Sequence, residues 1–163
     1  MKKRFFLVAL LLALTFLACC SVALADNGIE VPPPELISDN PNFSIVDWHL
    51  NVMPLADELK LSRMTAGISK HDSTHVAVRG VTQANKTCFY VKGFMTIQQW
   101  KDNKWNSYKT AAYTAYNTYE ASRDTTIAVD SGYYYRLIID HTASDYEGNS
   151  VLAATTTNSV LVN

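Results

Sequence analysis

Two short stretches hold residue types that could do chemistry. "KHDSTH" brings His71, Asp72 and His75 close together. Imidazoles at that spacing share one side of a helix, as in helical zinc motifs. On a strand the same spacing also puts both on one face. A turn at Asp72-Ser73 falls between them, however, and no third ligand lies nearby in sequence. A solvated loop is the default reading, and no metal is expected. The second stretch surrounds Cys88, which with His141 or His75 would supply a thiol and a base. A cysteine nucleophile needs an activated thiolate, a positioned imidazole and an oxyanion hole. None of the local cysteine-protease signatures surrounds Cys88. It opens a strand-like run and reads as a small, half-buried apolar residue. The sequence has no Gly-rich phosphate loop and no Gly-x-Ser-x-Gly elbow. No catalytic residue and no cofactor are therefore expected, and an enzyme ranks third among the functional readings.

The aromatic residues are the remaining source of chemistry. All 9 tyrosines fall from Tyr90 to Tyr146. Rows of Tyr and Trp on a solvent-facing sheet bind sugars and peptides. They also stabilise sheets by pairing across strands. The stretch "DSGYYYRLIIDH", Asp130 to His141, separates the two roles by parity. Alternation puts Tyr133, Tyr135, Leu137 and Ile139 on one face, and Tyr134, Arg136 and Asp140 on the other. The first is the core face, because burying an unpaired arginine and aspartate is costly. Tyr134, Tyr116 and Trp100 are then the outward candidates for binding a partner.

The same stretch resembles the tyrosine corner of immunoglobulin domains, in which a hydroxyl bonds back to the upstream backbone. That register would put the corner on Tyr134 and a cysteine at position 136, where this chain has Arg136. The corner assignment does not carry over.

The elements that must position these residues follow a targeting segment. Lys2, Lys3 and Arg4 precede an apolar run, and Ala23-Leu24-Ala25 precedes the polar Asp26. This pattern predicts a secretory signal peptide over residues 1–25. The run is too short to span a bilayer, which takes about 20 apolar residues. Lipidation at Cys19 or Cys20 fits poorly, because the residues before each cysteine do not match. The whole chain has 14 Lys+Arg and 15 Asp+Glu. Removing three basic residues leaves 11 against 15, a formal charge of −4. A mildly acidic domain has no electrostatic reason to seek nucleic acid or an anionic membrane. One cysteine, Cys88, remains of the three, so no internal disulfide is expected.

Residues 26–64 hold all 5 prolines and read as a largely irregular tether. Ile45, Val46, Trp48, Leu50 and Val52 within it could dock on the domain or form a short strand. Leu55–Met64 could form a short helix. Residues 65–163 are rich in Thr, Val, Ile and Tyr with polar turns at intervals, the texture of short strands. Expected strands are Thr65–His71, Thr74–Thr82 and Cys88–Trp100, with Phe89, Val91, Met95 and Ile97 sharing a face of the third. "KDNK" predicts a tight hairpin turn into Trp105. Beyond it come a strand to about Tyr116, a turn at Asn117, a strand to Val129, then Tyr133–Thr142 and Val151–Val162. A turn at Glu147-Gly148-Asn149 separates the last two. The expected fold is all-β, an immunoglobulin-like antiparallel β-sandwich behind a signal peptide and a proline-rich tether.

The segments "HVAVRGVTQA", "MTIQQWKDNKW" and "SGYYYRLIIDHTA" are similar to those of a family of small secreted all-β proteins of Gram-positive bacteria, described as a domain of unknown function. "GYYYR" is the most specific of these elements. The resemblance covers about Thr65 to Asn163. It implies a secreted all-β domain and no particular activity. The functional expectation is a secreted, non-catalytic domain that binds an extracellular protein or a cell-wall carbohydrate. The alternative from another class is a secreted bacteriocin- or toxin-like antagonist.

Overall fold

A computed structural model of the chain describes residues 29–50 and 58–163. The expected signal peptide, Cys19, Cys20, Val52 and Pro54 lie outside the described residues. The protein is all-β. Its strands are β1 (Phe43–His49), β2 (Leu61–Asp72), β3 (His75–Lys101), β4 (Lys104–Ala128), β5 (Tyr133–Ser144), β6 (Ser150–Thr156) and β7 (Val160–Val162). Among the described residues a 3-10 turn, Pro34–Leu36, precedes them. All seven belong to one antiparallel sheet in the order β1-β2-β3-β5-β6, with β4 also paired to β3 and β7 to β5.

The two longest strands organise the rest. β3 runs 27 residues and β4 runs 25. Together they form one ribbon, closed at its tip by Asp102 and Asn103 with φ of 56° and 55°. Positive φ at both central residues matches the twist of a two-residue hairpin, and Asp and Asn tolerate it. The first half of β3 pairs with β2 along one edge, Lys70↔Val76 to Leu61↔Ala84. The second half pairs on with β5, Tyr90↔Ser144 to Gln99↔Tyr135. The register of β3 against β4 shifts between Gln83 and Cys88. Inward-facing residues change there from Val76, Val78, Thr82 and Ala84 to Val91, Met95 and Ile97. A bulge bends a strand and sharpens its twist. Across from the shift, Asn117 of β4 has φ 54°. The ribbon therefore bends, and the sheet curls so that its two halves face each other. β2 comes against β5, β6 and β7. Between them lies one core that includes Ile68, Val76, Val91, Met95, Ile97, Tyr135, Leu137 and Ile139.

Several sequence expectations are corrected here. The expected strands to Thr82 and from Cys88 are one strand, β3, because β4 pairs with nearly its whole length. The expected turn at Asn117 is a kink inside β4. The boundary at residue 65 falls inside β2, which starts at Leu61. The described part of the expected helix Leu55–Met64 ends in that strand. The proline-rich segment contributes β1, which pairs with β2 from Phe43↔Ser69 to His49↔Arg63. Residues before β1 are tied down too. Asn103 N–H donates to Glu30 (3.2 Å), and Ser159 N–H donates to the Leu36 carbonyl (2.8 Å).

Among the described residues no strand pairs with the edge of β4 away from β3. Arg123 donates to the Ala112 carbonyl (2.7 Å) and Lys109 to that of Ala128 (2.6 Å). Each bond links one half of β4 to the other, so long cations cap an edge that would otherwise be open to pairing.

Candidate functional site

The expected chemical residues are engaged in local structure. His71, Asp72 and His75 lie at the turn between β2 and β3. Asp72 Oδ1 accepts the Thr74 N–H (2.7 Å) and lies 3.0 Å from His75 Nδ1. The Thr74 bond and the imidazole lower its pKa to about 2. Among the described residues no three His, Cys, Asp or Glu side chains come together as a metal site would need. Cys88 is fully buried, and its thiol donates to the Lys86 carbonyl (3.3 Å). Burial pushes its pKa up, away from the thiolate.

His141 is occupied elsewhere. It is fully buried, with Nδ1 2.7 Å from Thr82 Oγ1 and Nε2 2.9 Å from Thr155 Oγ1. Thr82 Oγ1 also lies 2.9 Å from the Tyr113 hydroxyl. A neutral imidazole has one donor and one acceptor nitrogen, so it can sit within such a hydroxyl chain. Burial lowers the His141 pKa to about 4 and raises that of Tyr113 to about 12. Both groups are therefore neutral across the physiological range. The Tyr113 ring lies over Gly93, where a Cβ would collide with it, and reaches Gly80, whose Cβ would stand 2.7 Å from it. The glycines open the space that lets this ring bridge the two halves of β3.

The tyrosine triplet follows the parity reading. Tyr135, Leu137 and Ile139 are fully buried, Tyr133 packs against the core, and Asp140 is exposed. The Tyr135 hydroxyl donates to the Asp130 carbonyl (2.8 Å) and accepts from Gln99 Nε2 (2.8 Å). A hydroxyl bond back to the upstream backbone is thus made by Tyr135. Arg136 is half-buried, stacked 4.4 Å from the Trp105 ring centre and bonded to Gln98 Oε1 (2.8 Å).

The three candidate binding residues do not form one site. Trp100 is a correction: it is only 8% exposed, covered by Trp105 with ring centres 5.2 Å apart. Tyr134 is half-buried beside Leu161 of β7. Tyr116 is 63% exposed and pairs with Tyr90, far along β3 from Trp100.

Tyr116 belongs instead to a surface cluster of rings at the bend of the ribbon. Phe89 lies 6.0 Å from Tyr90, 5.9 Å from Tyr116 and 6.0 Å from Tyr146, and Tyr90 lies 6.4 Å from Tyr116. Neighbouring rings are inclined at 62–69°, the edge-to-face arrangement that ring quadrupoles favour. Phe89 is 48% exposed and Tyr146 63%. Tyr146 reaches in from the β5–β6 turn, where its hydroxyl donates to Asn117 Oδ1 (2.7 Å). Lys92 Nζ stands 5.5 Å from the Tyr90 ring centre. Farther along the outer face are exposed Phe94 and Leu152. Sequence reasoning put Phe89 on one face with Val91, which is buried, and missed the cluster. Phe89 stands across from Asn117, whose positive φ interrupts the regular ladder, and it is exposed there; simple alternation carries no sign of it. The adjacent aromatic pair Phe89-Tyr90 was the signal available.

Among the described residues no helix is long and apolar enough to cross a membrane. No family model matches this chain, and no curated protein and no solved structure match it either. The likeness to small secreted proteins of Gram-positive bacteria therefore rests on the three quoted segments alone.

Proposed function

We propose that this protein is an exported, non-catalytic β domain that binds a protein or carbohydrate partner at or outside the cell envelope. The observation that carries this reading is the cluster of Phe89, Tyr90, Tyr116 and Tyr146. Exposing several large rings together is costly in water, and contiguous apolar patches on soluble domains mark interaction sites. Tyrosine suits that task because it offers apolar area and a polar tip. The pattern of the first 25 residues supports export. The two facing halves of the curled sheet are read as the layers of an immunoglobulin-like sandwich. The engaged states of Asp72, His75, Cys88 and His141 support a binding role over a catalytic one. The test is retention of the purified chain on cell-wall fractions and on proteins of the culture medium. Retention should fall in Tyr116→Ala and Tyr146→Ala and persist in Tyr134→Ala. Equal retention of all three variants would contradict the assignment.

A further inference from the structure

We propose that the ring cluster at the ribbon bend is a binding site for a neutral glycan chain, an inference that rests on the partner-binding reading above. The chemistry of the occupant follows from what the surface offers. The faces of aromatic rings carry a negative quadrupole and attract polarised C–H groups. The hydrogen-bonding groups among these rings are uncharged: the hydroxyls of Tyr90, Tyr116 and Tyr146, and the Asn117 amide that Tyr146 engages. Two cations stand nearby. Lys86 pairs with Asp145 at 3.3 Å, and Lys92 lies over the Tyr90 ring. The chain expected after Ala25 is acidic, so an anionic polymer would be repelled at long range. Four uncharged rings and their hydroxyls, with one cation, Lys92, at their margin, complement a partner without net charge.

The shape narrows the choice further. Rings inclined at 62–69° alternate faces with edges. They make no smooth plane on which an acyl chain or a flat aromatic could lie. A pyranose chain has C–H faces on its rings and hydroxyls around its edges. One sugar can lay its C–H face on one ring while its hydroxyls meet the tyrosine hydroxyls and Asn117. Each ring is already held by its neighbours, so little side-chain freedom is lost on binding.

Calorimetric titration of the purified chain with cellohexaose, maltohexaose and chitohexaose tests the proposal, with poly(glycerol phosphate) as the anionic comparison. At least one neutral hexaose should bind. Tyr116→Ala and Phe89→Ala should each weaken that binding at least tenfold, with thermal midpoints above the assay temperature. If an alanine variant melts too low, Phe89→Leu keeps the apolar volume and removes the ring face, and should weaken binding likewise. Failure of all three hexaoses to bind overturns the glycan assignment, as does preferred binding of poly(glycerol phosphate) or hexaose binding that survives the ring variants. Tyr116-dependent retention of a purified cell-wall protein, without any hexaose binding, would overturn the glycan and leave the partner-binding reading standing. Loss of both would overturn both.

Discussion

Tyr135 and Tyr116 are the same residue type in opposite solvents. Tyr135 gives its ring to the core and its hydroxyl to Asp130 and Gln99, whereas Tyr116 keeps most of its ring in water. Truncating a buried aromatic to alanine typically costs about 3–5 kcal/mol, and a small domain has about 5–15 in total. Tyr135→Ala should therefore abolish or nearly abolish cooperative melting. Tyr135→Phe keeps the packing but leaves the Asp130 carbonyl and Gln99 amide without that partner, a cost of about 1–3 kcal/mol. Urea unfolding of the two variants separates the contributions, and a Tyr135→Phe variant as stable as wild type would contradict the hydroxyl bond. This division was legible in the sequence because Arg136 and Asp140 mark the outer face of the strand. The burial of Trp100 was not, because its cover comes from Trp105, across a hairpin whose pairing parity cannot supply.

His141 adds a residue-scale pH dependence. Its folded pKa is about 4, below the ordinary value of 6.5. The unfolded chain therefore takes up a proton that the folded chain refuses. Stability is full above pH 6.5 and declines as pH falls toward 4, by at most about 1.4 kcal/mol per pH unit. The Asp72 carboxylate, with its pKa lowered to about 2, contributes a separate loss only below about pH 4. Urea midpoints of wild type and His141→Gln, taken from pH 8 to 4, should converge as the pH falls. Parallel curves would contradict the buried neutral imidazole.

At the scale of elements, the curl depends on a few irregular positions in long strands. Asn117 sits at φ 54°, which asparagine and glycine adopt far more readily than β-branched residues. Asn117→Gly should change stability little through the backbone, while Asn117→Val should cost about 1–3 kcal/mol. A thermal melt decides between them, and equal midpoints would mean that the kink is not needed. The turn chemistry at Asp102-Asn103 and at Asn117 was visible in the sequence. That Asn117 would kink a strand rather than end it was not, since the answer depends on β3 pairing past it on both sides. Nor was β1 settled by pattern. Its prolines argued for a tether and its apolar residues for a strand, and pairing with β2 decided the matter. Deleting residues 29–50 should accordingly lower the thermal midpoint by well over 5 °C. An unchanged midpoint would make β1 an ornament.

The whole molecule is one sheet folded over itself, with its core closed between the halves and its aromatic cluster left outside, where the ribbon bends. The fold class was legible in the alternation and the turns. The curl was not, because it arises from one shift of register between Gln83 and Cys88 and from its answer in β4. The candidate site inherits that difficulty: Tyr116 was recognised as outward, but its neighbours are assembled only by the bend. The same position raises a structural alternative, that the rings clamp the ribbon. The most direct measurement is the unfolding free energy of Tyr116→Ala. A binding surface that the fold does not depend on predicts a loss within about 1 kcal/mol, the scale of an exposed ring contact. A loss comparable to that of Tyr135→Ala would show that the cluster holds the bend together, and would contradict its assignment as a partner site.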